Sequence, residues 1–158
     1  MAAATAAIAA LTRTKATFTL HEYDHTAGAG YGEEAASALG VDPERMYKTL
    51  IVDLGGRLAV GVVPVAGSLD LKAIAAALGV KSVRMADSAD AERATGYVVG
   101  GISPLGQRKQ LPTVIDESVT GWPTVFVSAG KRGLQVEVEP ATLVTLTRAS
   151  LAPIGRAG

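Results

Sequence analysis

The chain predicts an α+β fold built on a mixed β-sheet, and three features of the sequence carry that expectation. Two β-rich runs, Tyr47 to Leu54 and Arg57 to Val65, flank Gly55-Gly56, the signature of a tight hairpin. The second run contains Leu58-Ala59-Val60-Gly61-Val62-Val63, apolar nearly throughout, as a strand covered on both faces requires. Helical segments are inserted between further strands, without a Pro/Ser-rich linker and without an internal repeat. The 158 residues suit a single domain, 1–158, large enough for a substantial core. Aromatics make up only 4% of the chain, so that core must be built from Val, Leu, Ile and Ala.

The elements follow in order. Met1 to Leu11 is alanine-rich and reads as a short amphipathic helix with Ile8 and Leu11 turned inward. Thr17 to Tyr23 alternates with period two, which predicts a strand with one wet face. Tyr31 to Leu39 reads as a helix stopped by Gly40, and Asp42-Pro43 as the cap and first residue of a helical turn. After the hairpin, Ser68 is placed to cap a helix from Leu69 to Leu78 that Gly79 ends. Lys81 to Met85 is expected to be a strand, and Asp87 to cap a helix that Gly96 terminates. The remainder is β-dominated, with strands expected at Tyr97 to Val99, Thr113 to Asp116, Thr124 to Ser128 and Leu134 to Glu139. A last helix is expected from Pro140 to about Ala149.

Composition narrows the function classes. The formal net charge is zero, which argues against a protein that coats duplex DNA but leaves room for a small phosphate site. Cysteine is absent, which excludes disulfides, thiolate metal sites and a protein cysteine nucleophile, and fits a reducing cytosol. The N-terminal run lacks a basic segment ahead of its weakly apolar alanines, so no secretory leader is expected. No stretch approaches the roughly 20 strongly apolar residues of a membrane span. A soluble, cytoplasmic protein without membrane contact is expected.

The most informative segment is Gly96-Tyr97-Val98-Val99-Gly100-Gly101-Ile102-Ser103-Pro104-Leu105-Gly106. Paired glycines permit positive φ and let a ligand approach the backbone amides, and the proline fixes the exit direction. Such a loop offers N–H donors to an oxyanion or a phosphate, or it is simply a tight turn between strands. Lys48, between Tyr47 and Thr49 at the start of a strand, reads either as a solvated edge lysine or as a cation at a pocket mouth.

Other hydrolase chemistries fail on the residues present. His21 and His25 are the only histidines, and at a strand end their spacing spans about 13 Å, too far to share one metal. No second half of a zinc site accompanies them. Ser103 does not sit in G-x-S-x-G and no helix follows it directly, while Ser128 ends a strand with no histidine implied nearby. No P-loop occurs, and Gly28-Ala29-Gly30 lacks the preceding buried strand of a dinucleotide site.

Three motifs in order, Tyr47-Lys48-Thr49, the Gly96 to Gly106 loop and Val127-Ser128-Ala129-Gly130-Lys131-Arg132-Gly133, resemble the YbaK family of aminoacyl-tRNA deacylases. The resemblance runs from about Phe18 to Arg148 and points to the branch acting on Cys-tRNA(Pro) and Cys-tRNA(Cys), related to the editing domain of bacterial prolyl-tRNA synthetase. It implies a curved mixed sheet flanked by helices, no cofactor, and an essential lysine at Lys48. Family positions carry over onto Tyr23, Tyr31, Lys48, Thr49, Ser128 and the Gly100-x-x-x-Pro104 loop, which includes Ser103. Tyr31 stands where relatives often have phenylalanine. Gln135 stands where the closest relatives carry aspartate, which removes a charge from a candidate substrate-binding position.

The missing base makes sense if the substrate supplies its own nucleophile. A cysteinyl ester carries a thiol of pKa about 8.5, a few per cent thiolate at neutral pH. The protein then has to orient that thiol, stabilise the oxyanion through the backbone amides of Gly100, Gly101 and Ile102, and help the tRNA hydroxyl leave. Arg108, Lys109, Lys131 and Arg132 form two basic turns that are candidate contacts to the acceptor end of tRNA, or solvated loop charge. The resemblance further implies a transient complex with prolyl-tRNA synthetase. Trans-editing of Cys-tRNA(Pro) is the leading expectation. Deacylation of another small aminoacyl group such as alanine, and a non-catalytic tRNA- or synthetase-binding module, are the alternatives.

Overall fold

The structure, a computed structural model, describes residues 4–24 and 31–157. The expected mixture of helices and a mixed sheet is what forms. Helix α1 (Ala6–Arg13) is capped by Thr5, whose hydroxyl accepts the Ile8 amide at 3.1 Å, and buries Ala7 and Leu11. The portion of the expected helix before residue 4 lies outside the described residues. Strand β1 (Phe18–Glu22) follows, then α2 (Tyr31–Leu39) with Gly40 left-handed beyond it.

The hairpin forms as its glycines require. Strands β2 (Tyr47–Asp53) and β3 (Leu58–Pro64) pair antiparallel with Lys48 opposite Val63, and both Gly55 and Gly56 take positive φ. Asp53 accepts the amides of Gly55 at 2.8 Å and Gly56 at 2.9 Å, and these hold its carboxyl below the ordinary carboxylate range. Strand β3 is buried on both faces. Val60 and Val62 enter one core with Tyr47, Ile51, Ile115 and Val127, while Ala59 and Val63 enter another with Val52, Ile74, Val114 and Ile154.

The later elements are β4 (Gly67–Leu69), α3 (Leu71–Leu78), β5 (Arg84–Met85), α4 (Ser88–Thr95) and β6 (Thr113–Asp116). A 3-10 turn (Glu117–Gly121), β7 (Val125–Lys131), β8 (Leu134–Val138), α5 (Pro140–Thr147), β9 (Ser150–Ala152) and β10 (Gly155–Ala157) complete them. One sheet has the order β5-β2-β3-β6-β9, with β6 parallel to both neighbours, a second has β1-β8-β7, and β4 pairs with β10. Met46 bridges to Phe126 and joins the two larger sheets.

Four sequence expectations need correction. Residues 97–99 are not a strand: Tyr97 turns inward, its hydroxyl donates to the Leu105 carbonyl at 2.6 Å, and burial pushes its phenol up to about 12. Ser68 does not cap α3, because it is held in β4 opposite Arg156; Asp70 caps instead, accepting the Ala73 amide at 3.0 Å. The strand expected over 81–85 shrinks to Arg84–Met85, and β7 extends three residues past Ser128. Strands β9 and β10 were not expected at all.

The β1-β8-β7 sheet explains where polar chemistry can gather. Leu20, Val136 and Val127 lie in one cross-strand row and Phe18, Val138 and Val125 in another, both on the core face. The alternate rows, His21-Gln135-Ser128 and Thr19-Glu137-Phe126, share the opposite face. On it Glu137 accepts the Thr124 hydroxyl at 2.6 Å and pairs with His21 at 2.9 Å and Arg45 at 3.4 Å. The Thr124 hydroxyl, then His21 and Arg45, hold the Glu137 carboxyl below its ordinary range. A carboxyl depressed in the folded state contributes stability above its unfolded pKa and loses it as pH falls through the folded value. The melting temperature is therefore expected to be flat from pH 7 to 5 and to fall below about pH 4. In Glu137→Gln the acid fall should be shallower, and an unchanged acid limb would contradict the assignment.

Candidate active site

A cavity of about 260 Å³ opens on this polar face where it meets the beginning of β2. The first turn of α2 supplies Tyr31, Gly32 and Glu33, and the segment 46–50 supplies Lys48 and Thr49 between Met46, Tyr47 and Leu50. Val65, Gly100, Ile102, Ser128 and Gln135 complete the wall. Of the residues singled out in the sequence, Tyr31, Lys48, Thr49, Gly100, Ile102, Ser128 and Gln135 thus meet around one space.

Each polar group arrives for a local reason. Lys48 is half-buried, and among the described residues its ammonium has neither a hydrogen bond nor an ion pair. Ser128 and Gln135 are cross-strand partners at the edge of a bulge, and the Ser128 hydroxyl accepts the Gly130 amide at 3.2 Å. Gln135 is only 7% exposed, and its Oε1 and the Thr49 hydroxyl are buried without a hydrogen-bond partner among the described residues. A buried polar atom left unpaired costs about 1–3 kcal/mol, so these two oxygens call for a ligand that donates or bridges.

The glycine loop is more constrained than its composition implies. Gly101 donates its amide to the Val98 carbonyl at 2.8 Å, closing a turn, so that amide is not open to a ligand. This corrects the expected set of three donors to two: the amides of Gly100 and Ile102 have no protein acceptor among the described residues. Gly100 has φ +92°, and a Cβ there would sit 2.7 Å from Arg132 Nε and 2.9 Å from the Tyr31 ring. Gly101 packs on the backbone of Lys131 and Arg132, where a Cβ would come within 2.8 Å of the Lys131 Cα.

Arg132 is committed to the protein. Its Nε and Nη2 donate to the Val99 carbonyl at 3.0 and 2.6 Å, and its guanidinium lies 4.7 Å over the Tyr31 ring. It clamps the loop and α2 together, whereas the ammonium of Lys131 beside it makes no hydrogen bond or ion pair among the described residues. Arg108 and Lys109 lie away from the cavity and border a separate groove. Ser103 and Pro104, expected to touch substrate, are buried behind the loop. The Ser103 hydroxyl accepts the Leu105 amide at 3.1 Å, and its carbonyl accepts the Gln107 side-chain amide at 2.9 Å. Tyr23 packs with the small cluster around Met46 and Phe126 and does not line the cavity.

His21 is occupied by Glu137, and His25 lies outside the described residues, as do Gly28, Ala29 and Gly30. Among the described residues no three His, Asp or Glu side chains are grouped to hold a metal. Among the described residues the cavity is lined by no imidazole, and the one carboxylate that lines it, Glu33, is exposed at the rim. One ammonium, two open amides, two hydroxyls and a carboxamide can orient an ester and stabilise a developing oxyanion. The apolar walls Met46, Leu50 and Val65 were not singled out in the sequence. The hairpin register could have found Val65, whose amide donates to the Met46 carbonyl at 2.7 Å.

Residues 25–146 match the aminoacyl-tRNA editing domain family. An Enterococcus faecalis protein provisionally described as the Cys-tRNA(Pro)/Cys-tRNA(Cys) deacylase EbsC is 41% identical over 124 residues, 77% of this chain and 75% of that protein. A crystal structure described provisionally as a trans-editing enzyme for prolyl-tRNA synthetase superposes with a TM-score of 0.85 at 25% identity, covering 98% of this chain and 99% of the other. A hypothetical protein, APE2540, superposes with a TM-score of 0.82 at 28% identity over 92% of this chain and 96% of its own.

Proposed function

The chain belongs to the family of aminoacyl-tRNA editing domains, and on that premise we propose that it hydrolyses the cysteinyl ester of mischarged Cys-tRNA(Pro), with Cys-tRNA(Cys) as a second substrate. The observation that carries the reading is the meeting of Lys48 with the open amides of Gly100 and Ile102 in one small cavity that, among the described residues, is lined by no imidazole, in a chain without cysteine. In the proposed reaction the substrate thiolate attacks its own ester carbonyl. The carbonyl oxygen takes the developing charge against the two amides, and the C–O bond to ribose breaks. The thiol proton ends on the departing ribose oxygen, and water opens the strained thioester that remains. Lys48 holds the ester or the terminal nucleotide in place, while Thr49, Ser128 and Gln135 orient the aminoacyl group. Each oxyanion donor is worth about 3 kcal/mol, and orientation several more.

Selection of one tRNA would come from prolyl-tRNA synthetase in a transient complex, a reading supported by the trans-editing description of a structural neighbour. A charged tRNA as substrate fits a cytoplasmic activity, and no described helix is long and apolar enough to cross a membrane. Glu33 at the rim favours a second route, in which it activates water against an alanyl ester.

One assay separates these readings: the protein with Cys-tRNA(Pro), Ala-tRNA(Pro) and Ser-tRNA(Pro), followed as loss of the aminoacyl ester. Rapid loss of the cysteinyl ester and slow loss of the seryl ester are expected. Equal rates on the two would sink the thiol-assisted route. Faster loss of the alanyl ester would favour water activation, and tRNA binding without any hydrolysis would identify a non-catalytic module.

A further inference from the structure

We propose that a second concavity, a groove of about 880 Å³ at the far end of the β2–β3 hairpin, is the track for the phosphodiester backbone of the tRNA acceptor arm; this rests on the deacylase reading above. Three separate elements line it: the hairpin turn with Arg57, helix α4 with Arg93, and the segment carrying Arg108 and Lys109. Its two carboxylates are already engaged. Asp53 accepts the Gly55 and Gly56 amides and pairs with Arg84 at 2.9 Å, and Asp90 pairs with Arg93 at 2.7 Å. Arg57 and Lys109 make no ion pair or side-chain hydrogen bond among the described residues, and Arg108 reaches only the Arg93 carbonyl at 3.5 Å. Four cations against two carboxylates leave a positive surplus here, on a chain whose net charge is zero.

Geometry connects this groove to the cavity. Lys48 and Asp53 lie near the two ends of β2, about 17 Å apart at the usual strand rise. That is more than one nucleotide and short against an acceptor stem, so an aminoacyl group at Lys48 leaves the adjoining phosphates within reach of the cationic rim. Leu58 and Leu111 give the groove an apolar floor on which ribose can rest. Contacts of this kind position a backbone without reading its sequence. The Arg108-Lys109 turn therefore has a role away from the cavity, alongside Arg57 and Arg93, which no sequence motif marked.

The test is Arg57→Glu, at an exposed residue whose removal breaks no side-chain interaction, with folding checked by thermal melting. Hydrolysis is measured on full-length Cys-tRNA(Pro) and on a cysteinylated CCA trinucleotide. On the full tRNA, kcat/KM is expected to fall about tenfold at 0.1 M salt, and the slope of its logarithm against log salt to become shallower by about 0.7 to 0.9. On the trinucleotide Arg57→Glu should match the wild type, and adding Lys109→Glu should roughly double the change in salt slope on the full tRNA. Equal losses on both substrates, or none on the full tRNA, would overturn the proposal. If the wild type hydrolyses neither substrate the deacylase reading fails, and binding of uncharged tRNA then decides the groove: weaker binding by Arg57→Glu supports it, unchanged binding overturns it.

Discussion

Lys48→Ala is expected to lower kcat for cysteinyl-tRNA by about a hundredfold or more, with a melting temperature within about 2 °C of the wild type. The two halves of that expectation have one cause. Lys48 is half-buried at the start of β2, and among the described residues it has no partner to orphan. Its neighbours Tyr47 and Thr49 keep the strand in register against Pro64 and Val62 whatever occupies position 48. Stability therefore loses little, while the cavity loses the ammonium that sits among its donors. Lys48→Arg should recover only part of the rate, since a planar guanidinium presents its charge differently from a compact ammonium. A fall in kcat of less than threefold in Lys48→Ala, with the fold intact, would remove Lys48 from the reaction.

The second large effect is on stability. Gly106 has φ +66°, and a Cβ there would strike the carbonyl oxygen of Ala6, lie 2.5 Å from the Ala6 carbonyl carbon and 2.8 Å from the Ala7 amide. These are backbone atoms of the first turn of α1, which cannot swing aside as a side chain can. Gly106→Ala is expected to destabilise by about 2–4 kcal/mol, combining the left-handed strain with overpacking. For a chain of this size that lowers the melting temperature by about 6–12 °C. Gly79→Ala is the internal control: its φ is +72° but nothing lies within 4 Å of the added methyl, so only about 1 kcal/mol should be lost. Equal losses at the two positions would show that the close approach of α1 to the loop has no energetic weight. The same helix reaches the other side of the site, where the Thr5 hydroxyl donates to the Ala129 carbonyl at 2.5 Å.

How much of this was legible follows from which forces are local. The hairpin, the glycine stops after α2 and α3, and the two-faced burial of β3 depend on neighbours in sequence, and they were readable there. The alternation within each strand is carried by the sequence, but the register that sets Ser128 opposite Gln135 on one face is seen only in the structure. The strands β4, β9 and β10 were not readable. They are three residues each, and β10 finds β4 across almost ninety positions because Asp116 accepts the amides of Ile154 and Gly155 at 3.0 and 2.8 Å. Residues 97–99 look like a strand by composition, yet Tyr97 gains more by burying its ring and bonding the Leu105 carbonyl than an isolated strand would. In the site, residue identity showed the donors but not their use. Neither the turn bond of Gly101 nor the commitment of Arg132 to Val99 is written in any motif.

Those two bonds give the loop a polarity. The carbonyls of Val98 and Val99 are both consumed, by the Gly101 amide and the Arg132 guanidinium, while the amides of Gly100 and Ile102 stay open. The loop thus ties up the two carbonyls that precede its glycines and leaves two amides, those of Gly100 and Ile102, for whatever enters. An electrophile passing through a brief negative charge is served by that bias, but so is a permanent anion. The carboxylate of the released amino acid carries such a charge, and the amides that speed bond breaking would also delay its departure. Turnover in such a site would be capped by clearance of product.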